Sequence, residues 1–165
     1  MTKEIVEKIS SYNLFNNLLP GVLFVYAISN ITNFNLLVDN VIIVIFLYYF
    51  VGLVISRFGS FVVEPLLRKI KFIRFADYKD FLSASEQDSK IELLSEVNNM
   101  LRTFISLFVF ILLTFIYDKI AVRFCIPIEN TIIILIVALL VLFVFSYRKQ
   151  TTFIRKRVER LNNKQ

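Results

Sequence analysis

The sequence predicts an all-α integral membrane protein: a bundle of four spanning helices with short helices at one polar end, assembling as a homo-oligomer. Three observations carry that reading. Four apolar runs have the length a bilayer demands, the basic residues lie almost entirely on one side of those runs, and polar or turn-forming residues separate them. The runs cover residues 18–37, 41–63, 103–124 and 127–147, each close to the ~20 residues that cross a hydrocarbon core about 30 Å thick. Hydrophobic residues make up 57% of the 165-residue chain and charged ones 19%, which is more apolar surface than one soluble core of this size can hide.

The charges set an expected orientation. Of the 19 Lys and Arg residues, only Lys119 and Arg123 fall on the opposite side, at the outer end of the third run. The others lie in residues 1–17, at Arg57 near the inner end of the second run, in the connection 64–102 and in the tail 148–165. The positive-inside rule then predicts that both termini and the middle connection are cytoplasmic. The first dozen residues include Glu4 and Glu7 and lead into no short apolar core with a small-residue cleavage site, so no cleavable signal is expected.

Element by element, residues 3–17 read as an amphipathic interfacial helix, with Ile5, Ile9 and Tyr12 on one face and Glu4–Lys8 at i,i+4. The first span opens near Pro20-Gly21 and is the most polar, with Asn13, Asn16 and Asn17 at its inner mouth and Ser29, Asn30, Thr32 and Asn33 in its outer half. Side-chain amides facing lipid are costly, so these residues point either at neighbouring helices or at an aqueous path. In the second span Gly52, Ser56 and Ser60 form a small-residue seam at i+4 spacing, the pattern that lets helices approach closely in lipid, here expected between copies. Arg57 and Glu64 stand two turns apart on one face near the inner end. Arg57 either snorkels to headgroups or joins Glu64 in a charged ring at a constriction. Pro65 is expected to end or bend this helix.

Residues 66–75 interleave Arg68, Lys69, Lys71 and Arg74 with apolar positions, as an interfacial basic helix does. Ser85-Glu86-Gln87-Asp88 resembles a capping box that opens a helix running into the third span. The fourth span continues into the tail: Ile154, Val158 and Leu161 extend its heptad-like seam to about Asn162, beside Arg155, Lys156 and Arg157. Arg68, Lys69, Lys71, Arg74, Arg155, Lys156 and Arg157 are the candidate contacts for an anionic ligand or partner. Ile154, Val158 and Leu161, with Gly52, Ser56 and Ser60, are the candidate oligomer interface. Asn16, Asn17, Arg57 and Glu64 are the candidate pore or gate.

Whole classes of chemistry drop out. The chain has no His and only three Gly, so imidazole acid–base chemistry, His-containing metal sites and phosphate-cradling glycine loops are excluded. Cys125 has no second cysteine to pair with, and Asn30-Ile31-Thr32 matches a glycosylation sequon by composition alone. An enzyme, a metal site and a cofactor are not expected. A proton-coupled exporter needs a carboxylate within a span. The first span has none, and Glu64 and Asp118 lie near span ends, so a small transporter ranks behind a pore or a scaffold.

The segments YNLFNNLLPG and VVEPLLRKIKFIRFADYKDF, with the basic tail after the last span, resemble the small four-span membrane effectors of bacterial anti-phage defence. The likeness is to the Hailong membrane effector and, less closely, the Kiwa membrane subunit, and it covers the layout of the whole chain. It implies a tetrameric inner-membrane channel, gated by a single-stranded oligonucleotide or nucleotide signal from a partner nucleotidyltransferase, whose opening depolarises an infected cell. The expected function is thus a regulated pore effector. The alternative is a non-conducting scaffold that recruits a cytoplasmic partner to its basic face.

Overall fold

The computed structural model describes residues 12–162, and within them every regular element is helical. Four helices are long and apolar enough to cross a membrane: α1 (Leu14–Ile31), α2 (Val41–Lys69), α4 (Lys90–Arg123) and α5 (Ile128–Asn162). The short helix α3 (Tyr78–Gln87) lies in the connection between α2 and α4. The antiparallel order places the start of α1, the end of α2, the start of α4 and the end of α5 together. This is the basic end; the opposite end holds the turns 32–40 and 124–127. Most of the proposed interfacial helix at residues 1–17 lies outside the described residues.

The first span is shifted from its predicted place. It begins at Leu14 rather than at residue 18, and it stops at Ile31 instead of reaching 37. Its early end follows from the side chains. Thr32 turns its hydroxyl back to the Ile28 carbonyl at 2.8 Å and accepts from the Phe34 N–H at 3.2 Å, so the backbone groups that would extend the helix find local partners. Asn33 then donates from its backbone (3.2 Å) and side chain (3.0 Å) to Asp118 of α4, a carboxylate only 2% exposed. Asn40 restarts the chain by capping α2, its side-chain oxygen accepting from the Ile42 and Ile43 N–H groups.

At the basic end α2 runs past Pro65 to Lys69, and the basic stretch after it is a turn and extended chain, not the expected helix. Lys71 sits at φ 60° with the Phe72 N–H on the Leu67 carbonyl at 3.0 Å. That is a left-handed helix stop of the kind glycine usually provides. The predicted capping box is also displaced. Ser85, Glu86 and Gln87 close α3, and Asp88 instead receives the Lys90 N–H at 2.9 Å where α4 begins. The helix α5 is unbroken from Ile128 to Asn162, the continuous rod its spacing predicts. Its 35 residues span about 50 Å, well beyond a bilayer core.

The packing is uneven. Phe24, Val25 and Ile28 of α1, Ile55 of α2 and Leu107 of α4 form the buried centre, and Phe110 of α4 meets Phe24 and Phe58 edge to face. Gly21 and Gly52 bring α1 and α2 backbone to backbone: a methyl group on Gly21 would overlap the Tyr48 carbonyl, and one on Gly52 the Asn17 carbonyl. Helix α5 stands apart. It touches α2 through stacked Phe50 and Phe143 and through Phe61 and Phe145, while it scarcely meets its sequence neighbour α4.

Candidate functional site

Two prolines organise the basic end. A proline inside a helix has no N–H to donate, and its ring clashes with the carbonyl four residues back. The chain answers both prolines identically, by widening the preceding turn to π geometry. Leu14–Leu18 precedes Pro20 and Gly59–Val63 precedes Pro65. In each, the residue before the proline donates to the carbonyl five back: Leu19 to Leu14, and Glu64 to Gly59. Such turns recur at functional positions in helices. The sequence reading took Pro20 as a helix start, and the structure corrects it to a helix interior.

In α1 the wide turn brings the consecutive residues Asn16 and Asn17 inward together, only 5% and 6% exposed. The Asn16 amide donates to Asn17 Oδ1 at 3.0 Å and to Ser56 Oγ at 3.1 Å. Thr103 of α4 donates to Asn16 Oδ1 at 2.8 Å, and Asn17 reaches the Tyr49 hydroxyl at 3.4 Å. Tyr12, one turn before Asn16, has its phenol pushed upward by burial, with a hydrogen bond to Asn99 opposing. The result is a polar node tying α1, α2 and α4. Asn16 and Asn17 are therefore interhelical ties inside one chain and do not border an open path within it. Gly52 and Ser56 of the small-residue seam serve the same node, packing α2 against α1 and α4 within the chain. Gly59 continues it, fitting against Ser106 of α4.

In α2 the wide turn has a second consequence. With Glu64 bonded to Gly59, the donor due at the Ser60 carbonyl belongs to Pro65, which has none. Lys149 of α5 fills the gap: its ammonium donates to the Ser60 carbonyl at 2.9 Å and to Ser60 Oγ at 2.6 Å. The same nitrogen lies 3.8 Å from Glu64 and 5.5 Å from the Phe61 ring centre, and Phe153 stands on its other side. Glu64 receives Arg102 of α4 at 2.6 Å. Both carboxylate partners come from other helices, giving a Glu64–Arg102–Lys149 cluster that Arg57 does not join. Arg57 is exposed and has no ion pair among the described residues. Arg102 Nε is buried without a hydrogen-bond partner, which leaves the cluster incompletely satisfied.

Of the predicted ligand residues, Arg68 and Lys69 line an open cleft of about 540 Å³ beside Lys149, and Lys156 lines a second of about 320 Å³ on its far side. Lys71, in the turn that ends α2, and Arg74, on the extended chain beyond, line neither cleft. Arg155 and Arg157 are exposed on the tail. Arg160 anchors that tail to α3 through Ser83 at 2.8 Å and Glu86 at 3.6 Å, leaving Ile154, Val158 and Leu161 exposed. Arg102 and Lys149 were missed in sequence; the signal for Lys149 was the donorless Pro65 with a cation at the end of a neighbouring span. The described residues hold no cluster of metal-binding side chains. No family model, curated protein or solved structure matches the chain.

Proposed function

We propose that this chain is a pore-forming membrane effector of bacterial anti-phage defence, built from several copies, with a tetramer as the working number. Both termini lie in the cytoplasm, and an anionic signal, a single-stranded oligonucleotide or nucleotide, opens the assembly at its basic end. The observation that supports this most is the attachment of α5. One lysine and the Phe61–Phe145 ring pair dock that helix on the proline-broken turn of α2, while most of its length is uncommitted and carries Arg155, Lys156 and Arg157 beyond the dock. An anion gathering those cations pulls on the helix that Lys149 holds, and a helix released there is free to repack against neighbouring copies. The membrane-side work is rearrangement, with no chemistry on a substrate.

Conductance of the purified protein in planar bilayers, with and without oligonucleotides, tests the reading. Current should rise with oligonucleotide, appear without it in Lys149→Met, and lose its response when Arg155, Lys156 and Arg157 all become Gln. Because each phosphate contact releases counterions, binding should fall with salt at a slope near −0.7 per contact. Silence under every condition would leave the scaffold, which the exposed Ile154–Val158–Leu161 stripe supports as a partner surface. Orientation has its own check: exposed Cys125 should react with an impermeant thiol reagent outside, and a cysteine at Ser85 should not.

A further inference from the structure

Phe61, Lys149 and Phe153 form a shared wall between the two clefts of the basic end. Beyond that wall the larger cleft adds Arg68 and Lys69, and the smaller adds Arg148 and Lys156. Each therefore offers two cations besides Lys149. Glu64 is the single carboxylate lining either one, and it is already held by Arg102. Phe145 of α5, which lines the smaller cleft, is exposed, and so is Val141 one turn further toward the apolar part of that helix. Cationic hollows thus adjoin open apolar helix surface.

We infer that these paired clefts hold an anionic phospholipid carrying two phosphates, one phosphate on each side of the Lys149 wall and its acyl chains along α5. A free phosphate or nucleotide satisfies the cations and leaves the apolar surface unused. A zwitterionic lipid matches the apolar surface but brings its own cation. Basic pockets between spans on the cytoplasmic side favour multiply charged headgroups for the same electrostatic reason. The bound lipid would fill the space between α5 and the rest of the chain. This inference goes beyond the pore reading and does not require the chain to conduct.

The test uses the full chain in neutral detergent, read by native mass spectrometry and thermal unfolding. Tetraoleoyl cardiolipin, dioleoyl phosphatidylglycerol, dioleoyl phosphatidylcholine and sodium pyrophosphate are added separately. Cardiolipin should be retained best and raise the unfolding temperature most, phosphatidylglycerol less, and phosphatidylcholine and pyrophosphate hardly at all. Changing the exposed Arg68, Lys69 and Lys156 together to Gln should weaken cardiolipin retention by roughly a hundredfold, at about fivefold per cation near a membrane surface. The same charge loss at Lys79, Lys90 and Arg123 should leave it within about twofold, a size of change one lost cation would exceed. Equal retention in both triple variants overturns the site. Equal effects of cardiolipin and phosphatidylglycerol overturn the two-phosphate assignment, and protection by pyrophosphate matching cardiolipin overturns the lipid. A non-conducting protein that passes every arm refutes the pore and leaves this inference standing.

Discussion

Helices α1, α2 and α4 and the fourth helix α5 solve the same problem, association in lipid, in opposite ways. The first three come together through glycines and a closed network of amides and hydroxyls. Apolar side chains gain little by leaving lipid for one another, so close backbone approach and interhelical hydrogen bonds must do the holding. Helix α5 has neither device along most of its length, and its ties are three ring contacts, Phe50–Phe143, Phe61–Phe145 and Tyr78–Phe153, the Tyr117–Thr131 hydroxyl pair at 2.9 Å, the Lys149 dock and the Arg160 anchor. One region is built to stay and the other to be moved. The same chain thus carries a rigid frame and a lever.

The largest effect expected of that difference is steric. Gly52→Leu places a side chain where the Asn17 carbonyl lies, and overpacking of this kind costs about 3 kcal/mol or more. Thermal unfolding in detergent should show a collapse of stability, whereas Ala138→Leu on the exposed face of α5 should stay within ±0.5 kcal/mol or so. Equal effects would erase the distinction between frame and lever.

Next comes the polar node. Thr103→Val removes the donor to Asn16 and leaves a buried amide oxygen short of a partner, at a cost of about 1–2 kcal/mol. A double-mutant cycle with Ser56→Ala should show coupling of more than about 0.5 kcal/mol, because the two share Asn16. Additivity would mean that the Thr103 and Ser56 bonds to Asn16 act separately.

Lys149→Met is smaller in stability and larger in motion. A transmembrane hydrogen bond averages only about 0.6 kcal/mol, so unfolding should change little. Disulfide formation between cysteines placed at Phe61 and Phe145 should instead slow markedly as α5 leaves α2. Unchanged cross-linking would show that the remaining contacts of α5, not the ammonium, hold the lever.

The smallest effect concerns the two left-handed helix stops, Lys71 and Cys125, at φ 60° and 49°. Replacing either with Gly relieves about 1 kcal/mol of backbone strain and gives part of it back through the freer unfolded chain. A net gain of a few tenths at both is expected from chemical denaturation. A loss at Lys71 alone would mean its side chain has a partner worth more than the strain.

The sequence by itself determined four helices able to span, the gathering of cations at one end and the long final rod, since length, hydropathy and spacing are properties of single segments. Glu64, Asn16 and Asn17 stood out in it because polar groups in apolar runs demand partners. Which partners they take was decided only by tertiary structure. Arg102 lies 38 residues from Glu64, Thr103 lies 87 from Asn16, and Lys149 lies 89 from Ser60; no local period encodes those distances. The Gly52–Ser56–Ser60 seam shows the same limit, since small residues state that something approaches closely without stating what. The two wide turns fall between these cases. Pro20 and Pro65 announced a break in hydrogen bonding, but whether each helix stopped, bent or widened depended on neighbours able to take up the freed groups.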